Sequence, residues 1–303
     1  MMPIILEDDY QKVDDLLREI DSLEELCDIS HEPISCGRRR RCSCYGLCFR
    51  PIFGSTKQMG LILARTFEGH HITIPCEGQP QYSLDCMFFT STCEQVQTDL
   101  TNMQVIPKYL SKPTFILCNP NAMFYQYMVN QPHAYYLRFF LNKNINVLVW
   151  NYRGYGLSTG TPTPSNIRQD GDQLLRYLRQ TLGLTGKIGV YGRSLGGVVV
   201  SHLVDKVDFI FADRTFSNFD VLANRKFYSP ISKYLFKLTS GGWVINNEVK
   251  VTRVDKCYKV IITEKADEIV EIHSSLMAGV AREALGRKLK GPGEDFYLNK
   301  EQL

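Results

Sequence analysis

Ser194 stands at the centre of Gly192-Arg193-Ser194-Leu195-Gly196, directly after the apolar run Ile188-Gly189-Val190-Tyr191 and directly before Gly197-Val198-Val199-Val200. A serine hydroxyl is a useful nucleophile only when its surroundings activate it, and a strand that turns abruptly into a helix supplies such surroundings. The turn is sharp, so Gly192 and Gly196 are expected where Cβ atoms would collide. It lifts the Ser194 hydroxyl above the strand ends and sets it at the positive N-terminus of the helix, where a developing oxyanion is stabilised. The chemistry this pattern supports is acyl transfer through a serine ester.

Two further runs carry a likeness. Asn151-Tyr152-Arg153-Gly154-Tyr155-Gly156-Leu157-Ser158-Thr159-Gly160 follows one apolar strand, and Asn119-Pro120-Asn121-Ala122 follows another at Thr114 to Cys118. With the Gly192 to Gly197 run, they resemble the α/β-hydrolase superfamily, and within it a branch of serine-aminopeptidase-like and depalmitoylase-like proteins. That branch has Asp-Tyr-Arg-Gly-Tyr-Gly-x-Ser-x-Gly, Gly-x-Ser-x-Gly-Gly and His-Gly-Asn-Ala at the three places. The likeness covers roughly residues 70–280. It implies that the backbone N–H groups of Asn121 and Leu195 form the oxyanion hole. Pro120 contributes no N–H.

The resemblance implies an acid as well. Asp267, after the run Lys259-Val260-Ile261-Ile262-Thr263, is similar to the branch's triad acid, with Asp213 as the alternative. Asp213 reads better as the partner of Arg214 or as a turn cap. In this fold the order is serine, acid, histidine, with the histidine after the last strand. His273, within the helix expected near 268–287, is the one histidine beyond Asp267 and is therefore the candidate base. His31, His70, His71, His133 and His202 read as structural or solvated.

These residues need a scaffold, and the chain supplies an alternation of short apolar runs and helical patterns. An opening antiparallel pair is predicted at His71–Pro75 and Leu84–Phe89, followed by strands at Thr114–Cys118, Ile145–Trp150, Lys187–Tyr191, Phe209–Ala212 and Lys259–Thr263. Helices are predicted near 123–142, 166–182, 195–206 and 268–287. The expected fold class is α/β: a mostly parallel central sheet with helices on both faces. Residues 217–250, rich in aromatics, fit a small cap, and core packing accounts for those aromatics equally well. The domain is drawn from 60 to 303, after a leader at 1–59.

The leader has two parts. Residues 5–29 show helical spacing of Leu6, Tyr10, Val13, Leu17 and Ile20, with ten acids between Glu7 and Asp28 against Lys12 and Arg18. Residues 36–50 hold Cys36, Cys42, Cys44 and Cys48 among five arginines. Cysteines beside a polybasic run suit S-acylation, in which acyl chains and cations jointly hold a membrane surface. A tetrathiolate zinc site and an inert linker are the alternatives, although paired CxxC spacing is absent.

Composition excludes several classes. A net charge of +3 over 303 residues does not imply nucleic-acid binding. There is no run of about 18 apolar residues to cross a membrane, and the acidic N-terminus is not a secretory signal. The ten cysteines are therefore expected to stay reduced, in a cytoplasmic protein that is peripheral on a membrane where its cysteines are lipidated. Two functions are compatible with the residues. One is a serine hydrolase cleaving an ester or thioester, with a small molecule or an acyl-protein as substrate and no cofactor. The other is a non-catalytic protein of the same fold that binds through the retained pocket. A third reading makes the acidic helix a module for docking a partner.

Overall fold

The computed structural model describes residues 53–76, 81–91, 97–98, 105–106, 108–129, 134–218 and 245–284. The acidic segment 5–29, the Cys/Arg segment 36–50 and most of the expected cap lie outside these residues.

Continuous apolar runs become strands that are buried on both faces. Seven form one sheet in the order β1-β2-β6-β5-β7-β8-β9: β1 (His70–Cys76), β2 (Tyr82–Phe89), β5 (Thr114–Cys118), β6 (Asn146–Trp150), β7 (Ile188–Arg193), β8 (Phe209–Asp213) and β9 (Tyr258–Ile262). β2 runs antiparallel to β1 and β6, and the other pairings are parallel. A short pair, β3 (Gln97–Thr98) with β4 (Val105–Ile106), stands apart. All five residues of β6 are buried, as expected of a strand covered on both sides. β9 is half-exposed, as an outer strand should be.

Period-two alternation sorts the strand side chains into two cores. Leu117, Val147, Val149 and Tyr191 face α1 (Phe53–Phe67) and α2 (Ala134–Asn142), meeting Leu63, Leu137 and Phe140. Ile116, Leu148, Trp150 and Val190 face the opposite layer. That layer is made of α3 (Pro164–Arg176), α4 (Gly197–Leu203), α5 (Glu248–Arg253) and α6 (Leu276–Ala284). The result is a three-layer α/β/α arrangement, as the alternation of segments implies. α1 crosses the boundary drawn at 59/60, and its Ile62 and Leu63 are fully buried.

Two expected helices take a different form. The segment near 123–142 is a 3-10 turn at Tyr125–Val129 followed by α2. Residues 130–133 between them lie outside the described residues. Within 268–287 the chain forms a 3-10 turn at Ile272–Ser274 and then α6. His273 therefore lies in the turn rather than in the helix. Ser275 causes the separation: its hydroxyl accepts from the N–H of Ala278 at 3.2 Å, capping α6 one residue before Leu276.

Candidate active site

β7 ends at Arg193, and Ser194 adopts a φ of 51° before a 3-10 turn, Ser194–Gly196, leads into α4. A left-handed serine costs on the order of 1–2 kcal/mol and persists only where its neighbours over-determine it. Those neighbours are identifiable. A Cβ on Gly192 would come within 2.5 Å of the Gly196 carbonyl oxygen, and one on Gly196 within 2.5 Å of the Cys118 carbonyl oxygen. Both contacts are with backbone, so neither position accepts a larger residue. From the opposite side the Thr215 hydroxyl donates to the Ser194 carbonyl at 2.6 Å. Ser194 is half-buried, and its own hydroxyl has no hydrogen bond among the described residues.

The loop after β5 packs on this turn, because Cys118 pairs with Gly192 in the sheet register. Three groups from the Asn151 to Gly160 run and the strand before it hold the loop. The Tyr152 hydroxyl donates to the Asn119 carbonyl at 2.6 Å, and Asn119 Nδ2 donates to the Trp150 carbonyl at 2.9 Å. The Tyr155 hydroxyl donates to Asn121 Oδ1 at 2.7 Å. Burial raises the pKa of both phenols, so both remain donors. Asn121 itself is exposed, and the next residue, Ala122, has a φ of 59°. Leu195 is the second residue of that helical turn, where N–H groups lack intrahelical acceptors. The structure thus brings the Ser194, Leu195 and Asn121 segments to one end of the sheet. Beside them lies a small cleft of about 40 Å³, lined by Asn119, Pro120 and Arg193 with Met123, Phe124 and Tyr136.

A buried carboxylate supports the loop from below. Asp85 accepts from Gln126 Nε2 at 2.6 Å, Asn151 Nδ2 at 2.8 Å, Tyr125 OH at 3.0 Å and His71 Nε2 at 2.7 Å. Asn151 Oδ1 in turn accepts the N–H of Tyr125 at 2.8 Å. Sequence reasoning missed Asp85, Thr215 and the positioning role of Tyr152 and Tyr155. Asp85 sits in an apolar strand, and that polar interruption is the one signal it offered.

The two acids differ. Asp213, at the end of β8, is buried and engaged by Arg214 Nε at 2.8 Å and by Tyr191 OH at 2.7 Å. That bond to Asp213 raises the pKa of Arg214, and burial raises that of Tyr191. Asp213 is thus the partner of Arg214. Asp267 is half-buried after β9, and its Oδ1 accepts the N–H groups of Ile269 and Val270 at 2.8 and 2.9 Å. Its Oδ2 has no hydrogen bond among the described residues.

The histidine is not in place. The 3-10 turn of His273 is docked beside the segment after β8: Ser217 N–H donates to the Ser274 carbonyl at 2.8 Å, and Arg282 donates to the His273 carbonyl at 2.8 Å. The His273 ring makes no hydrogen bond to Asp267 or Ser194. His71 and His202 are occupied by Asp85 and Asp172, and no histidine is bonded to Ser194 among the described residues. His31 and His133 lie outside them. So does 219–244 of the expected cap, whose flanks are joined where Asn218 bridges Asn246 and Asn247 N–H donates to the Ser217 carbonyl at 2.7 Å. Among the described residues no three metal-ligating side chains cluster, and no helix is long and apolar enough to cross a membrane.

Comparison with known proteins places this geometry. A family profile described as "Chlamydia CHLPS protein (DUF818)" matches residues 101–284. Protein bem46 of Schizosaccharomyces pombe is 28% identical over 170 residues, covering 53% of this chain and 53% of bem46. The chain spans about half the length of the curated relatives it matches. Among solved structures, an alpha-beta hydrolase from Vibrio vulnificus superposes with a TM-score of 0.56 at 16% identity, covering 77% of this chain and 75% of that one. An esterase from Pyrococcus furiosus superposes with a TM-score of 0.54 at 16% identity, covering 74% and 80%. At such identities the likeness is one of fold.

Proposed function

The chain belongs to the family described as "Chlamydia CHLPS protein (DUF818)" and to the α/β-hydrolase superfamily, and from that premise we propose that it is a serine hydrolase cleaving an ester or thioester of an acyl group. The observation that carries the reading is the left-handed Ser194, held between β7 and α4 against the loop after β5. Strain of that kind has no packing benefit of its own and serves to present the hydroxyl.

In this reading the Ser194 hydroxyl adds to the acyl carbonyl carbon, and its proton passes to a base. The oxyanion so formed accepts from the N–H groups of Asn121 and Leu195. Collapse expels the alcohol or thiol, which takes up that proton, and leaves an acyl-Ser194 ester. Water then adds to the ester carbon, releasing the acid and restoring Ser194. Asp267 orients the base through Oδ2, and His273 is assigned as the base. The cleft wall of Met123, Phe124 and Tyr136 suits an apolar acyl group. The Pyrococcus furiosus protein of this fold is an esterase by name, which supports the class. Acylation of Cys36, Cys42, Cys44 and Cys48 would hold the enzyme at a membrane beside acylated protein substrates. Serine at all four cysteines is expected to shift the protein from the membrane to the soluble fraction.

A specific observation favours the second reading, a binding protein of the same fold: the His273 ring contacts neither Ser194 nor Asp267 through a hydrogen bond. Covalent labelling by a fluorophosphonate separates the two, since it reports an activated serine without knowledge of substrate. Labelling of wild type that is lost in Ser194→Ala and His273→Ala supports the full assignment. Loss in Ser194→Ala alone keeps the hydrolase and moves the base elsewhere. Folded wild type that does not label overturns the hydrolase.

A further inference from the structure

The outer face of the layer made by α1 and α2 leaves large apolar side chains in solvent. α2 reads Ala-Tyr-Tyr-Leu-Arg-Phe-Phe-Leu-Asn, apolar nearly all the way round, and a helix of that kind is ordinarily buried on every side. Ala134, Leu137 and Phe140 turn inward to the sheet, but Tyr135 and Phe139, one helical turn apart, are 50% and 45% exposed. On α1, Leu61 is 55% exposed. Lys57 and Arg65, one turn to either side of Leu61, are exposed with it and form a single stripe. Lys143 is exposed just past the end of α2. The two helices are tied together where the Arg138 guanidinium lies 5.3 Å from the centre of the Phe67 ring.

We propose that this face rests on an anionic membrane surface, with Leu61, Tyr135 and Phe139 at the depth of the headgroups and Lys57, Arg65 and Lys143 against lipid phosphates. Apolar side chains exposed singly are ordinary, whereas several on one layer mark a surface that meets something. The charge around them has one sign: across 53–69 and 108–144 the sequence holds a single acid, Glu68. Leucine and aromatic rings flanked by basic residues are the composition of a surface that lies in a lipid interface. The two lysines weigh against a protein partner. Lysine is depleted from protein interfaces, but at a membrane its long stem lies along apolar surface while the ammonium reaches phosphate.

The chain itself leads a membrane to this layer. Cys48 precedes Phe53, the first residue of α1, by five residues, so an acyl chain on Cys48 would start within about 18 Å of that helix. Arg38 to Arg41 lie a few residues further back and attract the same anionic leaflet. Acyl chains on a leader fix no orientation of the domain behind it, and a face bearing apolar and cationic side chains does. Three apolar side chains make a weak, reversible contact on their own, because stable anchoring takes two signals. The face therefore orients a protein that acylation retains. Tyr136 of α2 lines the cleft beside Ser194, so docking through this helix sets the cleft close to lipid. The contact itself requires no reaction at Ser194.

Sedimentation with vesicles tests the face apart from acylation, on the whole chain carrying serine at Cys36, Cys42, Cys44 and Cys48. This parent and its Leu61→Glu/Phe139→Glu variant are titrated with vesicles of phosphatidylcholine and phosphatidylserine. Binding weakened at least about 10-fold in the variant is the expected result, at an unchanged melting temperature because both side chains are exposed. A tryptophan placed on the face reads the contact directly and keeps the test sound if the double variant fails to fold. Emission from Phe139→Trp should be quenched by vesicles whose acyl chains carry bromine, after subtraction of the parent's own tryptophans. Tyr258→Trp, on the outer strand β9 and 69% exposed, should not be quenched. No sedimentation of the parent overturns the proposal, as does an unquenched Phe139→Trp. Equal sedimentation of parent and folded variant overturns it too, by leaving the arginine run as the whole of the binding. A dimer of the parent that the same two substitutions dissolve assigns the face to a second copy and likewise overturns it. Ser194→Ala should sediment as the parent does, so failure of the hydrolase reading leaves this result standing.

Discussion

Replacing Asp85 by alanine removes the acceptor that four donors share. Asp85 is 3% exposed, so the loss falls inside the protein. His71, half-exposed, can turn to water, but Tyr125 OH and Gln126 Nε2 are buried. Asn151 Nδ2 keeps one bond, to Gln126 Oε1 at 2.9 Å, and loses the other. Three buried donors left unmatched, at about 1–3 kcal/mol each and less what an entering water recovers, give a cost of about 4 kcal/mol. Asp85→Asn is milder, about 2 kcal/mol. Its carbonyl can still face Gln126 and Asn151, and mainly the charge assistance is lost. Adding Asn151→Asp to that variant restores a carboxylate one hydrogen bond away. Asp at 151 keeps the acceptor for Tyr125 N–H, receives Gln126 and takes the new amide of residue 85. The exchanged pair should return to within about 1 kcal/mol of wild type, a coupling that a double-mutant cycle measures. Urea denaturation followed by fluorescence reads these proteins and the single Asn151→Asp that completes the cycle, because Trp150 is fully buried next to Asn151. An alanine variant that loses less than about 1 kcal/mol would refute the reasoning, as would an exchanged pair no more stable than Asp85→Asn. The branch resembled in sequence carries Asp at the position of Asn151, so the exchange also tests whether Asp85 took over its charge.

Thr215→Val keeps the shape of a side chain that is 1% exposed but drops its bond to the Ser194 carbonyl. Stability should fall by about 1–2 kcal/mol in thermal melts, and fluorophosphonate labelling should slow with it. Tyr155→Phe frees Asn121 Oδ1 at the exposed edge of the loop. Labelling should slow roughly 10-fold while the melting temperature barely changes, in line with a role in positioning rather than in stability. Burial raises the Asp170 carboxyl to about 6, although Arg153 Nε, at 2.6 Å, pulls the other way. With its pKa raised on folding, the native state holds more protons than the unfolded chain between about pH 4 and 6. This group's contribution is therefore full at low pH and is lost as pH rises through 6, at up to about 1.4 kcal/mol per unit. Stability measured across that window should fall more steeply with rising pH in wild type than in Asp170→Asn.

Much of this protein could be read along the chain because the information is local. β5, β6 and β7 are apolar over most of their length, polar only at an end residue (Thr114, Asn146, Arg193), because both faces are covered, and that property belongs to the run itself. The Ser194 turn was equally legible. Gly192 and Gly196 are needed by a backbone geometry that five consecutive residues define. The Ser275 cap is local too, and reading 268–287 as a single helix overlooked it because apolar periodicity continues through it.

What the chain order could not supply are the contacts that cross it. Asp85 meets Gln126 and Asn151 from distances of 41 and 66 residues, and Thr215 clamps Ser194 from 21 residues away. Only the pairing of β2, β5, β6, β7 and β8 in one sheet makes them neighbours. The choice between Asp213 and Asp267 has the same origin. Both follow apolar strands and look alike in sequence, but packing buries one against Arg214 and Tyr191 and leaves an oxygen of the other without a hydrogen bond. Backbone turns and buried strands are written in neighbouring residues because steric limits and hydrophobic burial act over a few bonds. Electrostatic partnership and pocket shape are decided by folding, because they depend on which distant surfaces the sheet order brings face to face.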